Sequence, residues 1–272
     1  WLAWNFAENL TAKWGRSAMM TVADGTVVST NEWLENPYAS ENITFIGDYS
    51  FARVGFMAVK ATELPGGNVS PLSVDPETVF YGVSFDVKNL PDFLKSVNIH
   101  AIQQNTDQAT LAGAGLGLTR YGLTVSGDAM GLDYRLTYAM HSGKLNSSAT
   151  TGIDRKGSMI DGGIGYTLAD VKNLRIGVKY HMDTGADNDT NNGSETYQPF
   201  YYERHANAGR MDLIGWGNLT NIEVEIGADL MENSRVGLSY NMFSRTSDND
   251  TAYAEGVGPT GGNALGHRFT DL

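Results

Sequence analysis

The strongest constraint on the fold is an alternation of apolar and polar residues that repeats along most of the chain. In the segment 79–88, apolar side chains occupy every second position from Val79 to Val87, and mostly small or charged residues lie between them. Successive side chains of a strand point to opposite faces, so this period predicts strands with one apolar face. Apolar residues at helical spacing are nearly absent. The sequence therefore predicts an all-β fold.

About 14 segments show this pattern, some of them only weakly or as fragments. They lie at 1–6, 11–20, 42–47, 51–60, 79–88, 97–104, 120–128, 132–141, 158–168, 174–182, 210–216, 221–230, 235–243 and 266–272. All 7 prolines fall in the connections between them. Proline cannot donate to a sheet ladder, so its positions support these strand assignments.

The connections alternate between short and long. Short connections such as 129–131 and 231–234 are followed by long ones, which include 105–119, 142–157 and 183–208. Tight turns on one side and long loops on the other are typical of outer-membrane barrels, whose turns face the periplasm. We therefore predict a transmembrane antiparallel up-and-down β-barrel. A large soluble β-protein is the alternative.

The chemistry of the two faces favours the membrane barrel. The polar face contains many glycines and charges of both signs, which suits a lumen. The apolar face carries aromatic residues near the strand ends, as interfacial girdles do. These aromatic residues are Trp4, Trp14, Tyr81, Tyr121, Tyr138, Tyr166, Tyr180 and Tyr240.

Length and composition restrict the class of protein further. The 272 residues are expected to form one barrel domain, 1–272, that lacks strands at one or both ends. The chain contains no cysteine, which excludes disulfide scaffolds, cysteine-ligated zinc and thiol catalysis. A net charge of −12 argues against a nucleic-acid partner, which a basic face would bind.

Several segments, in this order, resemble the alginate export family of outer-membrane barrels. Segment 11–20 (TAKWGRSAMM), followed by 29–33 (STNEW), is similar to a family strand with Gly-Arg and its long loop. Segment 119–143 is similar to the family's Thr-Arg-Tyr hairpin, and 180–189 to a strand that runs into an Asp-rich loop. The most specific segment is 197–219, YQPFYYERHANAGRMDLIGWGNL. Gly266-His267 is similar to the start of a late family strand.

This resemblance implies a passive outer-membrane channel for an anionic polysaccharide or oligosaccharide, with an arginine-containing constriction and with loops that act as gates. Arginine suits such cargo because its planar guanidinium pairs bidentately with carboxylates. A general or small-solute porin is the alternative function, since many family members are porin-like. A structural barrel that anchors lipopolysaccharide or a partner complex is a third.

Strand parity, together with the family's Gly-Arg for Arg16, gives the candidate residues of the pore lining. The basic candidates are Arg16, Arg53, Lys88, Arg120, Arg135, Arg175, Lys179 and Arg235. The acidic candidates are Asp133, Asp161 and Glu225, and His100, His141 and His181 lie on the same face. Such charges also pair across strands, for example Arg135 with Asp128 or Lys88 with Asp86.

Other sites and partners follow from weaker patterns. Asp187, Asp189 and Asn191 alternate oxygen ligands as a calcium loop does, which gives a weak hypothesis of a structural calcium in an outer loop. No catalytic motif is present, so we expect no enzyme and no further cofactor. The expected partners are membrane lipid, lipopolysaccharide, the saccharide itself and a periplasmic or surface protein, in the bacterial outer membrane.

Overall fold

The computed structural model describes residues 1–18, 21–23, 39–61, 77–108, 114–147, 150–186, 195–197, 216–248 and 250. Within them, twelve strands form one sheet, and each strand pairs antiparallel with the next in chain order. The strands are β1 (Leu2–Ala7), β2 (Leu10–Ala18), β3 (Ala39–Asp48), β4 (Ala52–Ala61), β5 (Glu77–Val87), β6 (Ser96–Gln108), β7 (Ala114–Ala129), β8 (Leu132–Ser147), β9 (Thr150–Leu168), β10 (Leu174–Asp183), β11 (Leu219–Met231) and β12 (Ser234–Arg245). The predicted all-β, up-and-down fold class is confirmed.

Two of the predicted strands are not among the twelve. Residues 210–215 and 266–272 lie outside the described residues, and Trp216 lies in a bend just before β11. In the sheet as described, β1 and β12 are the two edge strands. The search for a membrane-spanning helix, made over the described residues, finds none of sufficient length and apolarity.

The prediction of long connections at 105–119 and 142–157 is wrong. Strand β6 continues to Gln108 and β7 begins at Ala114, while β8 continues to Ser147 and β9 begins at Thr150. Segment 105–119 is rich in Gly and Thr, and 142–157 in Gly, Ser and Thr, so the apolar alternation ends before the strands do. The ladder between β8 and β9 nevertheless continues through these polar residues, because backbone pairing does not depend on an apolar face.

The outer face of the sheet is apolar and exposed. Every aromatic residue predicted for this face is exposed, and aliphatic side chains such as Ile164, Val178 and Val224 lie among them with 52%, 44% and 43% of their surface accessible. Monomeric soluble proteins rarely expose apolar patches of this extent. An apolar exposed face is therefore the surface that a lipid bilayer would cover.

The inner face is buried and mixed in chemistry. Met57, Phe80, Ile102 and Met159, from β4, β5, β6 and β9, belong to one buried apolar cluster together with residues outside the strands. Strands lie about 4.8 Å apart, so a flat sheet would separate β4 from β9 by more than 20 Å. The sheet therefore curves around its inner face.

Candidate functional site on the inner face

The inner face of β8 to β11 carries a connected group of charged side chains. Arg175 lies at the start of β10, at the end of the sheet where short turns join the strands (the turn end); the other end is the loop end. The Nε and Nη2 atoms of Arg175 donate to the two carboxylate oxygens of Asp133 at 3.0 and 2.7 Å. Its Nη1 atom contacts the carboxylate of Glu225 on β11. A guanidinium held by two carboxylates in this way is fixed in direction.

The group continues along β10, away from the β9–β10 turn, and across to β8 and β9. The Nζ atom of Lys179 lies 3.4 Å from Glu223 and 3.3 Å from Glu225, and almost half of the lysine side chain is exposed. On the neighbouring strands, Arg135 forms an ion pair with Asp161. Gly163 is the cross-strand partner of Arg135, so the ion pair with Asp161 is a diagonal one between β8 and β9.

His181 lies at the upper limit of this group, between two carboxylates. Its Nδ1 atom is 3.2 Å from Asp161, and its Nε2 atom is 3.0 Å from Asp183 at the end of β10. The indole of Trp216 stacks on the imidazole with ring centroids 4.0 Å apart. Asp183 also accepts a hydrogen bond from the backbone N–H of Gly217 at 2.7 Å. Trp216 and Gly217, just before β11, are therefore held against the inner face.

A cavity of about 350 Å³ opens over these charges. It is lined by Asp133, Tyr134, Arg135, Asp161, Gly162, Gly163, Arg175, Lys179, His181, Asn221 and Glu223. Charged and polar groups of both signs make up most of this lining. The ionic groups of the cavity are therefore already paired within the protein, and a charged solute can replace one partner of such a pair.

A second layer lies nearer the loop end, around His141 on β8. Arg120 on β7 is its cross-strand partner, and Arg120 donates a 2.7 Å hydrogen bond to Gln104. Arg155 on β9 faces the same interior and is buried. The phenol ring of Tyr197, from the connection between β10 and β11, packs on the His141 ring at 5.5 Å.

Gly157 on β9 makes this close approach of Tyr197 feasible. A Cβ atom at position 157 would lie 2.7 Å from the Cα atom of Tyr197 and 2.8 Å from the His141 ring. Tyr197 is almost completely buried, and this burial, with the charge of Asp183, raises the pKa of its phenol against the opposing effect of Arg120. A neutral tyrosine therefore covers part of the inner face.

Of the predicted lining residues, the structure brings six together in the charged group. They are Asp133, Arg135, Asp161, Arg175, Lys179 and Glu225. Arg120 lies nearer the loop end, in the second layer with His141, and His181 contacts Asp161 of the charged group. Their roles in transport remain predictions.

The other four basic candidates lie apart from this group. Arg53 is the cross-strand partner of Asp86 at the turn end of β4, and Lys88 lies beside the same turns. Arg235, on the edge strand β12, pairs with Asp229 at 2.9 Å. Arg16 is exposed near the loop end of β2 and follows Gly15, whose φ is +123°; its cross-strand partner is Glu41.

The two ion pairs predicted for the lining are wrong. Lys88 pairs with Asp48 and donates to the carbonyl oxygen of Tyr49 at 2.9 Å, because the turns before β4 and after β5 lie side by side. Asp86 instead accepts a 2.6 Å hydrogen bond from Asn98.

Asp128 pairs with Lys95 at 2.7 Å and not with Arg135. The register places Ser126 opposite Arg135, so Asp128 lies nearer the turn, where Lys95 is close at hand. Arg135 extends the other way, to Asp161.

The calcium hypothesis at Asp187, Asp189 and Asn191 falls outside the described residues. Among the residues that the structure does describe, no group of three or more His, Cys, Asp or Glu side chains has an arrangement that could hold a metal ion. The hypothesis stays a prediction.

Sequence reasoning missed three residues of the inner layer. The sequence predicts Arg155 in the connection 142–157, although its alternation with Gly157 and Met159 continues the inward face of β9. Tyr197 falls in a predicted connection, and Trp216 ends the predicted strand fragment 210–216. The structure places both residues outside the strands, where strand parity gives no direction for a side chain. The motif at 197–219 marks both residues as part of a distinctive segment, but it does not reveal what they contact.

The apolar outer face, the polar buried inner face and the up-and-down sheet define a β-barrel of the outer-membrane class. A family comparison agrees with this assignment. The family described as alginate export matches residues 66–271, which is more than half of the chain. The chain belongs to the alginate export family and is thus a channel of that general type. A comparison with curated proteins finds no match.

Proposed function

We propose that this chain acts in the bacterial outer membrane as a passive channel for an anionic polysaccharide or oligosaccharide. The observation that supports this proposal most strongly is a set of four arginines that face the interior from four adjacent strands, two in each layer. Arg135 on β8 and Arg175 on β10 belong to the charged group near the turns, and Arg120 on β7 and Arg155 on β9 lie nearer the loop end. Lys179 adds a fifth basic group to the charged group near the turns.

The chemistry of these groups fits a polymer of uronate sugars. A guanidinium binds a carboxylate through two parallel hydrogen bonds and keeps its charge at any physiological pH. In the structure, Asp133 occupies this position on Arg175, and Asp161 contacts Arg135. A passing uronate would exchange with these internal carboxylates. Each contact is then weak enough to release the polymer to the next basic group, as permeation requires.

A small-solute porin is a second candidate, and the internal pairing itself favours it. The lower three basic groups, Arg135, Arg175 and Lys179, already face four carboxylates at Asp133, Asp161, Glu223 and Glu225. The net charge of −12 points the same way. A lumen whose charges are balanced would pass small ions and sugars without a preference for polyanions.

The two candidates separate in a current-block experiment. The channel is placed in a planar bilayer, and the ion current is titrated with uronate oligomers and with neutral oligosaccharides of equal length. An exporter of anionic polymer is blocked by the uronate oligomers at concentrations at least tenfold lower. Equal block by both series would contradict the exporter and favour the porin.

Variants that remove one positive charge show which residue the uronate block depends on. Arg175→Gln removes a guanidinium from the group, and we expect it to weaken uronate block by about tenfold, the effect of losing one hydrogen-bonded charge. Arg235→Gln is the matched control, because Arg235 also pairs with one aspartate but lies outside the cavity lining. Arg175→Lys, which keeps the charge, reports any loss of folding separately from the loss of binding.

The remaining parts of this proposal concern the surroundings of the barrel. Its apolar outer face would contact lipid, and its loop end would contact lipopolysaccharide, whose phosphates and divalent cations suit acidic loops. A periplasmic or surface protein is a further proposed partner. The family consists of channels and not of enzymes, and we propose that this chain has no enzymatic activity.

A further inference from the structure

The connection between β10 and β11 is joined to the chain that follows β12. The carboxylate of Asp250 accepts a hydrogen bond from the backbone N–H of Ala186 at 2.9 Å, and another from the hydroxyl of Thr196. One side chain thus binds two points that lie 64 and 54 residues earlier in the sequence. Ala186 and Thr196 are both almost completely buried.

A second set of bonds lies beside this carboxylate. The backbone N–H of Ser247 donates to Asn218 at 2.7 Å, and the Asn218 amide donates back to the carbonyl of Ser247 at 3.0 Å. The Ser247 hydroxyl donates to the carbonyl of Ala186 at 2.6 Å. Gly185 permits this packing, because a Cβ atom there would collide with the Asn218 amide. The chain after β12 therefore touches both ends of the β10–β11 connection.

The residues held in this way cover the inner face. Thr196 precedes Tyr197, whose ring packs on His141 and whose backbone rests on Gly157. Thr184 links them to the wall: its hydroxyl donates to the carbonyl of Glu195 at 2.8 Å, and its carbonyl accepts from the Tyr197 N–H at 2.8 Å. The hydrogen bond that holds Thr196 therefore also helps to hold Tyr197 over the second layer.

We propose that Asp250 is the positioning residue that holds Tyr197 over the inner face, so that release of this carboxylate uncovers the passage. The proposal rests on the chain being a channel, as proposed above, but not on which solute it carries. Hydrogen bonds to a charged group are the strong ones among protein hydrogen bonds, and here two of them depend on a single carboxylate. Their loss would shift the segment that carries Tyr197 toward an uncovered state.

The first test compares Asp250→Ala with Asp248→Ala in planar bilayers. Asp248 is the matched control, because it lies on the same turn but its side chain is 95% exposed and forms an ion pair with Arg245 at 3.6 Å. We expect Asp250→Ala to raise the time-averaged current at fixed voltage by at least tenfold over the wild type, and Asp248→Ala to leave it unchanged. Equal currents in the two variants would overturn the proposal. Asp250→Asn, which keeps one acceptor oxygen, should give an intermediate current.

The second test uses the absence of cysteine from the chain. In the double variant Thr196→Cys, Asp250→Cys, a disulfide replaces the natural bond when oxidised, and the contact is lost when reduced. We expect a low current under oxidising conditions and a current at least tenfold higher after reductant is added, with a gel shift reporting the crosslink. The single variant Asp250→Cys should carry a high current that does not change when reductant is added. No crosslink, or a current indifferent to reduction, would contradict the proposal.

These outcomes are separate from those of the current-block experiment. The role of Asp250 is judged from the ratio of currents carried by simple salt, whereas the proposed function is judged from the ratio of block by uronate and neutral oligomers. A reductant-sensitive current without uronate preference would support the role of Asp250 and contradict the exporter. The reverse pattern would support the exporter and contradict the role of Asp250.

Discussion

Val178→Arg tests the assignment of the outer face to lipid. Val178 is the fifth residue of the ten-residue strand β10, and its cross-strand partners Ile164 and Val224 are apolar and exposed like Val178 itself. At about 3.3 Å per residue, Val178 lies roughly 15 Å along the strand from either end, which is near the middle of the hydrocarbon layer.

The magnitude differs sharply between a bilayer and water. An arginine on the lipid face at the bilayer midplane costs about 2–4 kcal/mol of unfolding free energy. The same substitution at an exposed site of a soluble protein changes stability by about 0.5 kcal/mol or less. The two environments therefore predict clearly separable effects for one variant.

The assay is urea unfolding of the chain in lipid vesicles. Met130→Arg is the control, because Met130 lies in the β7–β8 turn with 97% of its surface exposed and should tolerate the charge. We expect Val178→Arg to lower the unfolding free energy by about 2–4 kcal/mol and Met130→Arg to leave it within about 0.5 kcal/mol. Equal effects at the two positions would refute the lipid assignment.

Three further changes test the interior. Gly157→Val places side-chain atoms where the Tyr197 backbone rests, and it should raise the salt current in bilayers by displacing that residue. Thr137→Val removes the partner of the buried Thr124 hydroxyl, 3.0 Å away, and should cost about 1–3 kcal/mol in urea unfolding. Trp216→Ala removes the ring above His181 and should also raise the current, without changing the β-sheet signal in circular dichroism.

The strand pattern was predictable because a barrel wall has one uniform environment on each side. Lipid selects apolar residues at every second position, and the residues between them, such as Arg135 and Arg175, face inward by parity alone. The apolar alternation stops in the polar segment 142–157. The sequence therefore predicts a loop there, which includes Arg155, although the backbone of β9 remains paired.

The partners of the inner charges were less predictable than their facing. An inward charge has neighbours on two adjacent strands and diagonal positions on each, so parity leaves several acceptors for each cation. The register of β8 against β9 determines that Arg135 pairs with Asp161, and the adjacent turns determine that Lys88 pairs with Asp48. The cover by Tyr197 and the bonds of Asp250 depend on residues outside the strands, where the sequence has no periodic pattern.

The most direct measurement of the central claim is the reversal potential of the chain in a planar bilayer under a salt gradient. A channel for anionic saccharide is expected to prefer anions, and charge reversal of Arg120, Arg135 and Arg175 should abolish that preference. Cation preference, or equal permeability to both ions, would contradict the account and leave a porin that shares only the family fold. The absence of any current, in the wild type and in Asp250→Ala alike, would contradict the assignment as a channel.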